Sequence, residues 1–368
     1  MPDTPKIHHW KHGWIPLDAV ALASRQGKAL DMPDYDGMSP TLKGKINAKL
    51  TDLTGMSEPE LAAKVQDNLK RLYAAGDASQ ADWYSREGRD IAARAAQIRA
   101  EYPDSPVDQE RLTGMIALTS AQKRWAENKD FAEAIARKLA EDKPFKVSKT
   151  MIADYNAWAT KRRAGTALPH PDLAPGTYRP SELPADFAAS KTPKMPKHLN
   201  ADYVIQSVRV YRGELTVDQA VQGPKQRSFV NNLMDPADKR FVTVDTWHYK
   251  AAMQGIPVKK KVGDTTFAYT LEEWDSRDVA RADGRAVGNG YDPAKPFENP
   301  KNLAATIRAT KTPQDFFQGG PSSVKDGYRS SFGVYPWFVK QTQVAADKLG
   351  VSPNALQSVA WYAVGGGQ

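Results

Sequence analysis

Apolar residues in this chain recur every three or four positions, segment after segment, and that spacing fixes the fold class before anything else does. Leu61, Val65, Leu69 and Leu72 form one such stripe, with Ser57 able to cap it and Pro59 near its first turn. Ile91, Ala95, Ile98 and Tyr102 form the next, ended by Pro103 and Pro106. Leu112, Met115, Ile116 and Leu118 open another segment, and Phe131, Ile135 and Leu139 follow at four-residue spacing. Residues 149–164 read as a further helix carrying Met151, Ile152, Tyr155 and Trp158. Helical patterns resume at 201–212 and 216–221. The last stripes are Phe338, Thr342, Ala345 and Leu349, then Leu356, Val359 and Ala360 behind the cap Ser352-Pro353. Alternating strand patterns are few, so a mainly α fold is expected.

Between these segments the pattern weakens. Residues 1–57 read as an N-terminal extension of loops with one or two short helices. Residues 58–165 form a helical half, and 166–199 a proline-rich loop. Residues 200–256 hold a glycine-bearing turn and the β-branched run Phe241-Val242-Thr243-Val244. Residues 257–335 read as an insertion with the basic run Lys259-Lys260-Lys261, and 336–368 as C-terminal helices. A length of 368 residues allows two or three domains.

Composition narrows the chemistry. The sequence has no cysteine, which excludes disulfides, thiolate zinc sites, cysteine nucleophiles and cysteine-ligated iron–sulfur clusters. No Walker loop or serine-hydrolase elbow is present, so no cofactor is expected. His8 and His12 could share a metal only on a helix, and Gly13 and Pro16 oppose one, so no metal is expected either. No apolar run reaches the roughly 18 residues of a membrane span. The first residues lack a secretory pattern, so no membrane partner and a cytoplasmic location are expected, in the host cell if the chain is phage-encoded. Lys and Arg number 51 against 43 Asp and Glu, a net charge of +8 that suits a polyanionic partner as well as an ordinary basic protein.

Two segments carry more. The first runs Leu118, Thr119, Ser120, Ala121, Gln122, Lys123, Arg124 and on to Asn128-Lys129. The second runs from Gly223-Pro224-Lys225 through Arg227 to Asn232, followed by Val244-Asp245-Thr246-Trp247-His248. Together they resemble the helix-hairpin-helix DNA glycosylase superfamily, the group that includes endonuclease III. The stretch 80–362 also resembles a group of phage proteins of that type, through Gly223 to Asn232, Val242 to Asp245, and Leu356-Gln357 to Trp361.

The resemblance implies a glycosylase-like helical core that binds double-stranded DNA and flips out a base. Asp245 would be the carboxylate beside the sugar, with His248 lining the site. Gln122, Lys123, Arg124, Gly223, Lys225 and Arg227 would contact DNA. Arg227 stands where the family's lyase lysine would be, so no Schiff base is expected. Trp247 replaces the family's histidine, and Lys225 the hairpin's second glycine. Some phage relatives of this fold are implicated in thymine hypermodification. The expectation is therefore a DNA N-glycosylase or a related base-modifying enzyme; the alternatives are a thymine-hypermodifying enzyme and a non-catalytic DNA-binding or virion-associated protein. Taken alone, Asp245 reads first as a helix cap and Gln122 as a surface residue at a helix boundary, and Lys225 and Arg227 read also as solvated charges; the flanking match brings the catalytic reading of Asp245 level with the cap.

Overall fold

The computed structural model describes residues 6–9, 13–16, 34–120, 125–161, 167–190, 201–221, 223–262, 265–274, 314–317 and 333–366. It is mainly helical, with three short two-stranded antiparallel sheets among these residues. The chain divides into two units. One is built from residues 1–81 and 237–366, the other chiefly from 82–236.

The first unit begins with the hairpin β1 (Lys6–His9) and β2 (Gly13–Pro16), in register Lys6 to Pro16. His8 thus lies in a strand and not on a helix; His12 lies outside the described residues. Helix α1 (Pro40–Thr54) follows, started by the Ser39 side chain, which accepts from Leu42 N, and stopped by Gly55 at φ 77°. This corrects the expectation of loops and short helices through residue 57. Met38, Leu42, Ile46 and Leu50 are a four-residue stripe, and all are buried. A Ser-Pro start and a left-handed glycine stop give this helix both ends.

Helix α2 (Glu58–Ala75) buries Leu61, Val65, Leu69 and Leu72, and the core of this unit forms around it. The C-terminal helices α14 (Tyr335–Leu349) and α15 (Pro353–Ala363) both pack on it. Polar contacts set their register. Gln66 Nε2 donates to Gln341 Oε1 at 2.6 Å, and Trp337 Nε1 donates to Glu58 Oε1 at 2.7 Å.

The second unit is arranged around one helix. After α3 (Trp83–Glu101) comes α4 (Gln109–Thr119), whose residues Leu112 to Thr119 are all buried. An all-round apolar helix needs neighbours on every side. They are α3, α5 (Trp125–Glu141), α8 (Ala201–Tyr211), the short α9 (Val217–Ala220) and α10 (Pro224–Met234). Two glycines let the helices close in. A Cβ on Gly114 would sit 2.8 Å from both Val217 methyls, and one on Gly88 would sit 2.4 Å from the Leu233 carbonyl oxygen.

Within the stretch expected to be a proline-rich loop, residues 167–190 hold a short strand, a 3-10 turn and a short helix. Strand β3 (Phe145–Val147) leads into α6 (Lys149–Lys161). It pairs with β4 (Gly176–Tyr178), and a short helix α7 (Ala185–Ala189) follows. Its prolines punctuate the segment without unfolding it: Pro180 begins a 3-10 turn and Pro184 precedes α7. In the first unit the remaining elements are α11 (Thr246–Ala252), the hairpin β5 (Val258–Val262) and β6 (Thr265–Tyr269), α12 (Leu271–Trp274) and α13 (Gln314–Phe317).

Two glycine substitutions separate close packing from helix propensity. Gly88→Ala meets a backbone carbonyl and lowers unfolding free energy by about 1–3 kcal/mol. Gly44→Ala, in the middle of α1 with nothing within 4 Å of the new methyl, raises it by about 0.5–1 kcal/mol. Urea unfolding of both variants beside the parent checks the pair; equal effects would contradict the packing account.

Candidate nucleic-acid interface

The buried end of α4 has carbonyls without a regular helical donor; Thr119 and Ser120 of the same turn and side chains of neighbouring helices supply donors. Asn128 of α5 donates from Nδ2 to Ile116 O at 2.9 Å and accepts from Thr119 Oγ1 at 2.8 Å. Gln226 of α10 donates from Nε2 to Ala117 O at 3.3 Å. The first segment singled out in the sequence and residues 223–232 of the second therefore meet here, within the second unit. An aromatic cluster backs the junction: Trp125 and Phe229 lie edge to face at 5.4 Å, and Trp83 lies 5.2 Å from Trp125.

Lys129 is buried between Glu87 and Asp90, at 2.6 Å from each. Burial raises the Asp90 carboxyl, but the Lys129 and Arg94 side chains outweigh it and hold the group below its ordinary value. Asn128 and Lys129 thus act within the fold. Gln122, Lys123 and Arg124 fall outside the described residues; the flanking Ser120 and Trp125 are half-buried at the same junction.

The start of α10 differs. Gly223 stands at the cap position with an ordinary φ of −75° and no side-chain cap, followed by Pro224. The first-turn N–H groups of a helix lack intrahelical acceptors. Lys225 is half-buried and has no ion-pair partner among the described residues. Arg227 is 7% exposed, and its Nε donates to Val221 O at 2.8 Å, bracing the turn between α9 and α10. A phosphate contact from Arg227 would need that guanidinium to leave its buried seat.

Asp245 and His248 belong to the other unit. Asp245 is the N-cap of α11: its Oδ1 accepts from His248 N at 2.9 Å. The run ahead of it is buried but forms no strand. Tyr335 of α14 holds it instead, donating from Oη to Val242 O at 2.7 Å and accepting from Val244 N at 3.0 Å. His248 is fully buried. Its Nε2 lies 2.9 Å from Thr342 Oγ1, whose own proton goes to Phe338 O at 2.8 Å. Nε2 is therefore the donor, and Nδ1 is left buried without a hydrogen-bond partner among the described residues. Burial drives this ring's pKa down to about 3, so it is neutral at pH 7. A ring with no exposed edge cannot line a site open to a ligand. Trp247, half-buried, carries Lys250 over its face at 4.2 Å.

One histidine of the proline-rich stretch has a carboxylate partner that the sequence does not announce. His170 places Nε2 2.8 Å from Oδ1 of Asp186, whose side chain is 3% exposed against 25% for the histidine. No spacing rule could find this pair, because loop closure brings the two residues together. No family model, curated protein or solved structure matches the chain. Among the described residues, no cluster of three metal-binding side chains exists, and no helix is long and apolar enough to cross a membrane.

The buried ring has a pH signature. Unfolded, His248 binds a proton near pH 6.5; folded, it does so near 3. Stability present above 6.5 is lost as the pH falls toward 3, by about 1.4 kcal/mol per pH unit between pH 6 and 4. Urea unfolding of the parent and of His248→Gln over that range checks this. The variant's profile is flatter; an equal slope would contradict the assignment.

Proposed function

We propose that this protein binds double-stranded DNA through its second unit, at the junction of α4 and α10, and that Asp245 and His248 have a structural role. The observation that carries the reading is the junction itself. There the uncapped start of α10 and the unpaired Lys225 adjoin the ends of the segment that bears Lys123 and Arg124. First-turn N–H groups and free cations are what a phosphate backbone requires.

Charge placement supports a polyanion. Basic and acidic side chains nearly balance among the described residues, so the surplus of +8 lies in the sequence outside them, in places such as Lys123-Arg124, Arg162-Arg163 and Lys191, Lys194 and Lys197. The choice of duplex DNA among polyanions rests on the resemblance to the helix-hairpin-helix glycosylases. The order α9, residues 221–223, α10 agrees with such a motif. The glycosylase-like fold is part of this proposal. Base excision through Asp245 is not, because its carboxylate caps α11 and its neighbour His248 is sealed from solvent.

The test is binding of a short duplex across a salt series. The affinity of the parent falls steeply between 50 and 200 mM salt, as expected of about several phosphate contacts. Lys123→Gln, Arg124→Gln and Lys225→Gln each reduce the slope of log affinity against log salt by about 0.9. Asp245→Asn leaves that slope unchanged if it folds, and neither it nor the parent produces alkali-labile sites. Salt-insensitive or absent binding would overturn the DNA reading. Alkali-labile sites made by the parent and lost in Asp245→Asn would restore Asp245 as the catalytic carboxylate.

A further inference from the structure

The hairpin β5–β6 is rooted in the core of the first unit at its open end. Ile256 and Val258 lead into it and Leu271 follows it, and all three are buried. Beyond that root the exposure reverses. Lys259, Thr266 and Ala268 are exposed, and Tyr269 is half-buried. The register pairs Lys259 with Ala268, Lys260 with Phe267 and Lys261 with Thr266. Strand β5 thus carries three lysines in consecutive positions, and neither strand holds an acidic residue.

Strand positions two apart belong to one face. Positions 259 and 261 therefore share a face with 266 and 268, and they stand about 6.8 Å apart along β5. The residues opposite them, alanine and threonine, are small. Two structural needs call for lysine here. A charge guards a strand edge against pairing with another chain. A charge also suits the C-terminal end of a helix, and Lys259 Nζ lies beside the C-cap of α1, where a Cβ on Gly55 would sit 2.7 Å away. Each need is met by one lysine, and the run has three. Lys259 has no ion-pair partner among the described residues. A two-stranded ribbon is narrow enough to enter the major groove of a duplex, and lysine is a mobile point charge that binds phosphate.

We infer that the β5–β6 ribbon is a second contact for double-stranded DNA, in the first unit, with the lysines of β5 meeting phosphates. The inference rests on the DNA reading above for the identity of the polyanion, and it adds a contact that the α4–α10 junction does not contain. Lysine on phosphate carries no base information, so this contact is independent of sequence.

The test is binding of a short duplex by the full chain across a salt series. Lys259→Gln and Lys261→Gln combined lower the slope of log affinity against log salt by about 1.8, two contacts at about 0.9 each. Thr266→Glu, at an exposed position opposite Lys261, keeps every lysine and lowers the slope by about 0.9. Lys45→Gln, exposed on α1 of the same unit, leaves it unchanged. An equal fall in Lys45→Gln would be a general effect of net charge and would overturn the ribbon contact. If the parent binds and neither ribbon variant changes the slope, the ribbon contact is overturned while the junction reading stands. If the ribbon variants lower the slope and Lys225→Gln does not, the junction reading fails and the ribbon contact stands. A parent that binds no duplex at any salt concentration removes both.

Discussion

A buried helix must pass its terminal carbonyls to someone, and much of the second unit follows from that need at the end of α4. From Leu112 to Thr119 the helix has no exposed residue, so water cannot satisfy Ile116 O or Ala117 O. An unsatisfied buried carbonyl costs about 1–3 kcal/mol. Thr119 Oγ1 and Ser120 Oγ meet these carbonyls from within the turn, and Asn128 and Gln226 add donors from outside it, which ties α5 and α10 to the same point. The hydroxyls on α4 are also occupied: Thr113 donates to Gln109 O at 2.7 Å, and Thr119 to Asn128. The polar residues in the two sequence segments are spaced as they are because a hydrogen-bond inventory has to close. Lys225 is outside that inventory and carries its charge to the surface of the junction.

The helices were largely legible in the sequence, because each stripe marks a face that must be buried. Leu61 to Leu72 and Phe338 to Leu349 lie where their periodicity puts them, and the Ser352 side chain accepts from Ala355 N as an N-cap does. Helix α1 was missed although Met38, Leu42, Ile46 and Leu50 have the right spacing. The surrounding Gly, Asp, Pro and Lys residues dilute the average, and a helix on the rim of a core needs only one apolar residue per turn. The segment 166–199 was read as loop because prolines dominate it. Its order comes from long-range partners, such as Asp142 accepting from Ser181 N at 2.8 Å, and periodicity carries no information about those.

The candidate site was legible in part. The segments 118–129 and 223–232 meet, whereas 244–248 belongs to the other unit. Which of their side chains face solvent was not readable, because burial depends on neighbours far along the chain. Asn128, Lys129 and Arg227 look like surface polar residues in sequence, yet each is fixed by a buried acceptor or carboxylate. His248 looked like a base beside Asp245. The helix starting at Asp245 turns that histidine inward onto Thr342, where solvation of a charge is impossible. His170 lies in the proline-rich stretch, and its carboxylate partner sits 16 positions further on in a helix too short to show a pattern.

Hydrogen exchange along the chain, with and without a short DNA duplex, tests the central claim most directly. The N–H groups of Lys225 and Gln226 at the uncapped start of α10 exchange freely in the protein alone and slow when DNA is bound. The amides of α11, from Thr246 to Ala252, do not change. Slowing centred on Asp245 and α11, with the start of α10 unaffected, would contradict the assignment of DNA binding to the second unit.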